Sequence, residues 1–308
     1  MSETKIIFNT ITIIGAGLIG SSLARAIKRG KLAETLVLCD QDLPTLDEAK
    51  SLALADVYEI DARLAVEDAD LVVYAIPVGV IATVGEIVSA NLKTGAIISD
   101  VGSVKKTVLD ALTPFIPDGV HLVPGHPVAG TEQSGPSAGF ASLFDDRWCI
   151  LTPDTQTDDA AVQKVEDFWR AIGSKVEIMD AEHHDLVLAI TSHVPHLIAY
   201  NIVGTASDLE AVTRSEVIKY SAGGFRDFTR IAASDPTMWR DVFLNNKEAV
   251  LEMLGRFSED LTALQRAIRW GDGDALFDLF SRTRDIRRKI IDAGQETADA
   301  DFGRSNEN

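Results

Sequence analysis

The chain has 308 residues, of which 46% are hydrophobic and 25% charged, a composition typical of a globular protein with one large domain and a smaller one. Its 29 basic and 47 acidic residues give a net charge of −18, which argues against nucleic acid or an anionic membrane as a partner, because either would need clustered lysine and arginine. The N-terminal MSETKIIF is too short and polar for a signal peptide, so we expect a cytoplasmic protein.

The first motif is a glycine loop between a predicted strand and a predicted helix. The β-branched run ITII at 11–14 leads into GAGLIG at 15–20, and SSLARAIKRG predicts a helix that Gly30 ends. Gly15 permits the tight turn, Gly17 lets the backbone approach a pyrophosphate, and Gly20 lets the helix pack close to the strand. The residues we assign to dinucleotide binding in this loop are Gly15, Gly17, Leu18, Ile19 and Gly20.

An acidic residue ends the second predicted strand. TLVLCD finishes at Asp40, twenty residues after Gly20, where a carboxylate can accept hydrogen bonds from ribose hydroxyls. The same carboxylate would repel a 2′-phosphate, so the sequence predicts NAD rather than NADP. The alternative is that Asp40 is a solvated loop carboxylate.

Strand and helix predictions continue to alternate toward the middle of the chain. The further strand runs are DLVVYAI at 70–76, GAIISD at 95–100, HLVP at 121–124 and WCILTP at 148–153. Repeated βα units predict an α/β, Rossmann-type, doubly wound parallel sheet with its ligand at the carboxyl ends of the strands. Cys39 and Cys149 each lie in an apolar run, which predicts reduced core thiols rather than a disulfide or a metal site.

The second half of the chain predicts helices only. Helical periodicity begins near Asp180, so we expect a dinucleotide-binding domain at 1–179, an all-α substrate and dimerisation domain at 180–292, and a disordered tail at 293–308. One predicted helix has apolar residues at a nearly heptad spacing, which fits either an internal core stripe or a subunit interface. This seam consists of Val250, Leu254, Phe257, Leu261, Leu264 and Ile268.

Three further segments carry a family resemblance: HLVPGHPVAGTEQSG at 121–135, SHVPH at 192–196 and GGFRDFTRIAASDPTMWRD at 223–241. Together with the glycine loop they resemble the prephenate/arogenate (cyclohexadienyl) dehydrogenases of tyrosine biosynthesis. The resemblance implies an NAD-dependent homodimeric enzyme that oxidatively decarboxylates prephenate, arogenate or both, giving 4-hydroxyphenylpyruvate or tyrosine. It does not distinguish the two substrates, nor does it show whether tyrosine inhibits.

The resemblance implies that His126 is the catalytic base and that Ser103 bonds the reacting hydroxyl. A neutral imidazole is a suitable acceptor for the hydroxyl proton as hydride leaves the ring carbon, and loss of CO₂ then makes the ring aromatic. As a bare sequence feature, Ser103 also fits a helix N-cap. Lys105 and Lys106 are interpreted as surface lysines of a first helical turn.

Two histidines stand three residues apart in the second segment. The resemblance assigns substrate contact to His196, and we interpret His193 as a buried histidine with satisfied hydrogen bonds. The spacing would suit a shared metal, but no further ligands stand at a recognised spacing, so we expect no metal. HHD at 183–185 is interpreted as the first turn of a helix.

Arg230 is the residue we expect to bind a substrate carboxylate, because guanidinium forms bidentate pairs and keeps its charge when partly buried. Asp227, three residues before it, is placed to hold the arginine. By resemblance, Thr131 and Glu132 line the mouth of the site and Trp239 lies near the pocket or a subunit boundary.

Two other interpretations of the whole chain stay open. One is another two-domain Rossmann dehydrogenase, such as a β-hydroxy acid enzyme, although those usually depend on a catalytic lysine in the helical domain. The other is a dinucleotide-sensing regulator that kept the fold and lost catalysis. The His126 and Arg230 motifs speak against the first, and the presence of Ser103, His126, His196 and Arg230 speaks against the second.

Overall fold

The computed structural model describes residues 6–213, 219–220 and 222–292. Spatial contacts divide the chain into two compact units, Met1–Leu251 and Glu252–Asn308, and this division falls inside a long helix. The change from strands to helices comes earlier, near residue 180, where the sequence predicts a domain boundary. The predicted tail at 293–308 lies outside the described residues.

The first unit is built on a six-stranded parallel sheet in the order β3-β2-β1-β4-β5-β6, which confirms the predicted Rossmann-type architecture. The strands are β1 (Phe8–Ile14), β2 (Ala33–Cys39), β3 (Val57–Glu59), β4 (Leu71–Tyr74), β5 (Ile97–Asp100) and β6 (His121–Leu122). The helices between them are α1 (Leu18–Gly30), α2 (Leu43–Ser51), α3 (Ala62–Val66), α4 (Ile81–Val88) and α5 (Lys106–Leu112).

Both faces of this sheet are covered, so its strands are almost continuously apolar. Successive residues of β1 point to opposite faces of the sheet and pack in different cores. Ile13 packs in a cluster with Leu23 of α1, whereas Ile14 packs in a second cluster with Val88 of α4. Cys39 and Cys149 are buried and free, which confirms the prediction of core thiols.

A second, three-stranded sheet follows, with the order β7-β8-β9. Its strands are β7 (Gly125–Pro127), β8 (Trp148–Leu151) and β9 (Lys175–Ile178), with α6 (Asp159–Ile172) between the last two. β7 and β8 pair antiparallel, so the prediction that WCILTP continues the parallel sheet was wrong. A parallel neighbour needs a crossover, usually a helix; α6 provides one between β8 and β9, while residues 128–147 form only a short 3₁₀ turn.

From residue 181 onward the described regular elements are helical. They are α7 (Ala181–Leu188), α8 (Val194–Thr213), α9 (Gly223–Thr229), α10 (Pro236–Asn245), α11 (Lys247–Trp270) and α12 (Gly273–Asp292). A π-helical turn at Ala189–His193 joins α7 to α8. The resulting run Ala181–Asp208 is long and apolar enough to cross a membrane by length and composition alone, a test that core helices of globular proteins also pass.

Candidate active site

The glycine loop has the shape that its sequence predicts. Gly15 has φ of 106°, and a Cβ added there would lie 2.3 Å from the Ala75 carbonyl oxygen. A Cβ on Gly20 would lie 1.9 Å from the Gly15 oxygen, whereas one on Gly17 would meet nothing within 4 Å. The fold itself therefore requires the first and third glycines, and the second leaves the backbone open to a ligand.

The start of α1 is suited to an anion. Gly17 is the N-cap and supplies no side-chain bond, so the helix begins with N–H groups that no capping side chain satisfies. Leu18 and Ile19 follow in the first turn, both half-buried. This arrangement fits the pyrophosphate of a dinucleotide.

Asp40 does more than end the second strand. Its Oδ2 accepts a hydrogen bond from the Ala16 backbone N–H at 2.8 Å, and its Oδ1 accepts one from Asp42 N–H at 3.0 Å. The half-buried carboxylate therefore fastens the glycine loop to β2. Each oxygen still has a lone pair with which it could accept a ribose hydroxyl.

A fully buried ion pair lies behind the predicted catalytic residues. Lys105 and Asp100 are both 0% exposed; Lys105 Nζ donates to Asp100 Oδ2 and to the Gly125 carbonyl at 2.8 Å. Asp100 Oδ1 accepts the Gly125 N–H at 3.1 Å, so the pair holds the residue just before His126. Burial raises the pKa of Asp100 and lowers that of Lys105, each opposed by the partner's charge. The interpretation of Lys105 as a surface lysine was wrong.

The predicted base, His126, lies in β7 with a side chain that is 6% exposed. Its Nδ1 is 2.8 Å from His184 Nε2, and His184 Nδ1 is 2.8 Å from Asp185 Oδ1. Burial, reinforced by His184, Lys105 and His193, holds the pKa of His126 well below the usual 6.5. The ring is consequently neutral near pH 7, as a general base must be.

Asp185 also caps α5 from a distant part of the chain. Its Oδ1 accepts the Lys105 N–H at 2.8 Å and its Oδ2 accepts the Lys106 N–H at 3.0 Å. The N-cap of α5 is Lys105, not Ser103. Ser103 instead lies half-buried in the loop between β5 and α5. Its hydroxyl therefore does not cap α5, which was one of the two roles that the sequence allowed.

The two histidines of SHVPH take separate partners. His193 is fully buried, and Asn246 Nδ2 bridges its Nδ1, at 3.0 Å, to the Asp185 carbonyl, at 2.8 Å. Burial lowers the pKa of His193 to about 4. His196 is half-buried; its ring stacks on Trp239 with centroids 3.7 Å apart, and its Nδ1 donates to the Ser192 carbonyl at 2.9 Å. Because Nδ1 is bonded and Trp239 covers one face of the ring, Nε2 is the nitrogen of His196 that can still bond a ligand.

Arg230 is partly exposed and pairs with Glu132 across 98 residues of sequence, with 3.1 Å between Nη1 and Oε2. Its positive charge lowers the pKa of His196, after the larger effect of burial, so the two groups are neighbours. Asp227 makes no ion pair with Arg230 in the part of the chain that the structure describes. Thr131 accepts the Gln133 N–H at 3.2 Å and stays exposed beside Glu132.

The structure thus gathers two groups: His126 with the buried cluster, and Arg230 with His196, Trp239 and Glu132. The residues that sequence reasoning missed are Asp100, His184, Asp185 and Asn246, together with the buried role of Lys105. HHD at 183–185 was interpreted only as a helix start, yet two of its three residues are buried polar groups. The signal in the sequence was that HHD directly precedes the apolar run LVLAI, a position from which polar side chains can enter a core.

Comparison with known proteins places these groups in context. The family description "Prephenate dehydrogenase, nucleotide-binding domain" matches residues 23–178, and "Prephenate dehydrogenase, dimerization domain" matches residues 180–282. A cyclohexadienyl dehydrogenase of Zymomonas mobilis is 45% identical over 281 residues, covering 91% of this chain and 96% of the relative. A prephenate dehydrogenase of Bacillus subtilis is 32% identical over 285 residues, covering 91% of this chain and 75% of the relative.

A solved structure is similar over nearly the full length. The crystal structure of prephenate dehydrogenase from A. aeolicus, in complex with hydroxyphenyl propionate and NAD+, gives a TM-score of 0.86 at 31% identity and covers 92% of this chain and 98% of that one. These matches bear out the resemblance found in the sequence motifs.

Proposed function

The chain belongs to the prephenate dehydrogenase family, an NAD-dependent oxidoreductase family, and from that premise we propose that it oxidatively decarboxylates prephenate, arogenate or both. The observation that carries the proposal is the environment of His126, a buried, neutral imidazole whose Nδ1 is engaged by His184. The remaining ring nitrogen, Nε2, is a base suited to a hydroxyl proton.

Ser103 and His126 act on the reacting hydroxyl in this proposal. The serine hydroxyl bonds the substrate oxygen, and His126 Nε2 takes its proton as the carbinol carbon becomes a carbonyl. Bound NAD supplies the hydride acceptor. Loss of CO₂ then makes the ring aromatic, so the protein's main tasks are to position the substrate and to move one proton.

The anionic groups of the substrate need local positive charge, because the chain has a net charge of −18. Arg230 is the candidate for one carboxylate, and His196, held flat against Trp239, is the candidate for a second polar contact. The Arg230–Glu132 bond is exposed, so a substrate carboxylate can replace Glu132 at modest energetic cost.

The residues that would hold NAD are Gly15, Gly17, Leu18, Ile19, Gly20 and Asp40. The open face at Gly17 and the uncapped start of α1 fit a pyrophosphate. Asp40 fits the adenosine ribose and disfavours a 2′-phosphate.

A homodimer is part of the proposal. Residues 180–282 match a dimerization domain, and large apolar side chains are exposed within the unit Glu252–Asn308. Those side chains are Leu261, Ile268, Trp270, Phe277, Phe280 and Ile286. Light scattering at micromolar concentration should return about twice the chain mass of 33.3 kDa, and a mass near 33.3 kDa would refute the dimer.

We also infer a cytoplasmic location without nucleic acid or membrane partners. The acidic charge supports it, and the long apolar helical run carries the buried His184, Asp185 and His193, which bond to other parts of the first unit. Fractionation of expressing cells should recover the protein in the supernatant after ultracentrifugation.

Initial rates with two substrates and two cofactors test the function. Purified protein should reduce NAD at 340 nm with prephenate, arogenate or both, with release of CO₂, and NADP should be the poorer cofactor. A β-hydroxy acid panel serves as the control for the competing enzyme class. Turnover of that panel without turnover of either cyclohexadienyl acid would overturn the proposal.

A further inference from the structure

The sequence motifs do not account for the contact between His126 and His184. His184 Nε2 lies 2.8 Å from His126 Nδ1, and its Nδ1 lies 2.8 Å from Asp185 Oδ1. His184 is 0% exposed and Asp185 is 5% exposed, so water does not compete for these bonds. Three side chains therefore form a buried line that ends at the predicted base.

The direction of each hydrogen bond follows from its partners. Backbone N–H groups of Lys105 and Lys106 can only donate, so the Asp185 carboxylate accepts at both oxygens. His184 must then donate from Nδ1 to Asp185. Burial lowers the pKa of His184, and a neutral imidazole carries a single N–H, so His184 Nε2 is an acceptor. His126 must accordingly donate from Nδ1, and its Nε2 keeps a lone pair.

We propose that His184 and Asp185 are positioning residues that fix His126 in the tautomer with an unprotonated Nε2 and share the proton that His126 takes from substrate. The tautomer half of this inference stands on the hydrogen-bond geometry together with the neutral state of His184, and the proton-sharing half rests on the proposed function. In a His126 with the opposite tautomer, Nε2–H would face the substrate hydroxyl and could not accept its proton.

The proton balance is closed within the site. As hydride leaves the carbinol carbon, the O–H bond breaks and His126 Nε2 gains the proton. The N–H of His126 Nδ1 then strengthens its bond to His184, whose own Nδ1–H bonds to Asp185, so the positive charge is spread toward a carboxylate. When the C–CO₂ bond breaks, its electron pair moves through the ring to the carbonyl oxygen that the reacting hydroxyl has become. His126 returns the proton to this oxygen, which gives a phenol. No other acid or base is consumed.

The charges around His126 make such a partner necessary. Lys105 and His193 both oppose a positive charge on His126, and Lys105 is balanced by the buried Asp100. Burial alone also disfavours the imidazolium. Among the described residues, Asp185 is the acidic group that hydrogen bonds connect to His126, through His184.

The first experiment observes the tautomer without substrate or turnover. Protein labelled with ¹⁵N in its imidazoles, with His126→Asn used for assignment, should show for His126 an Nδ1 bearing hydrogen and an Nε2 of the unprotonated type near pH 7.5. An Nε2–H tautomer of His126 would overturn the proposal. A protein inactive on prephenate and arogenate would defeat the proposed function while leaving this result readable.

The second experiment measures proton sharing with His184→Gln and Asp185→Asn, beside the control His183→Gln. His183 is the exposed neighbour of the same helix turn, so the control carries the same change of side chain outside the line. Both line variants should lose about ten- to a hundredfold in kcat with KM changed less than about threefold. In Asp185→Asn the acid limb of kcat/KM should move to lower pH, because the imidazolium loses its carboxylate.

Gln at 184 offers an amide oxygen to His126 Nδ1–H but cannot become charged, so it should keep the tautomer and still lose rate. Wild-type kcat in folded His184→Gln and Asp185→Asn, judged by circular dichroism, would overturn proton sharing. A loss that appears only in KM, with an unmoved pH profile, would also overturn it and leave the two residues structural.

Discussion

The glycine loop and the buried histidine cluster, the two parts of the proposed active site, are specified in different ways. The loop is local: Gly15, Gly17 and Gly20 act through backbone shape, and each role follows from what a Cβ would strike. The cluster is nonlocal: the Lys105–Asp185 bond joins residues 80 apart, and the His126–His184 bond joins residues 58 apart. Cofactor binding and proton chemistry should therefore be separable by mutation.

His126→Asn provides the strongest test of that separation. The variant should lose about 10²–10⁴-fold in kcat, the usual range for a general base, while the Kd for NAD stays within about twofold. Stopped-flow rates and calorimetric NAD titration measure the two quantities on the same preparation. Retention of more than about a tenth of the activity at saturating substrate would make His126 structural.

Arg230→Gln should affect substrate rather than cofactor. Loss of a hydrogen bond to a charged group costs about 1.5–3 kcal/mol, which raises the KM for prephenate by about ten- to over a hundredfold. Arg230→Lys should recover part of the loss, because an ammonium keeps the charge without the forked geometry. Glu132→Gln is the matched control that releases Arg230 from its ion pair and should leave KM equal or lower.

Asp40 tests the loop side of the comparison. NAD should be preferred over NADP by at least about tenfold in kcat/KM, which corresponds to about 1.4 kcal/mol, and Asp40→Ser should reduce that preference. Asp40→Asn keeps an acceptor for the Ala16 N–H and removes the charge, so it separates fastening of the loop from repulsion of the 2′-phosphate. Equal efficiency of wild type with both cofactors would contradict the assignment.

The smallest expected effect is a displacement of the pH profile. The pKa of His126 lies well below 6.5 because the ring is buried, and the neutral form is the active base. Activity should therefore fall only as pH drops through that lowered pKa, so the acid limb of kcat/KM should lie below pH 6.5. A midpoint at or above the ordinary histidine value would mean that the base is solvated in the free enzyme.

The sequence was informative where a single short segment determines the structure. Gly15 was predicted because its turn depends on neighbouring residues, and the parallel sheet followed from alternating patterns. WCILTP was assigned to the wrong sheet because an apolar run predicts a strand but not the strand with which it pairs. Lys105 was misjudged because its burial depends on Asp100 and Gly125, and a lysine in a first helical turn is usually exposed.

His184 and Asp185 were missed for a related reason. In sequence they look like polar residues that open a helix. Only the folded chain places that helix against the start of α5, which gives Asp185 two backbone N–H groups, and next to β7, which gives His184 its partner His126. The roles assigned to Ser103 and Trp239 remain predictions, and the Arg230 variants above test the role assigned to Arg230.

The π-helical turn at Ala189–His193 gives this region a tolerance of chain length that a regular helix lacks. A regular α-helix advances about 100° per residue, and a π-type turn absorbs one extra residue without rotating the helix that follows. Removing a single residue there would therefore restore a regular helix and leave the residues after it on nearly the same faces relative to His184 and Asp185. His196 would then stay against Trp239. Among natural variants, a one-residue deletion should be tolerated at Thr191 more readily than within the regular turns of α8, where it would rotate everything after it by about 100°.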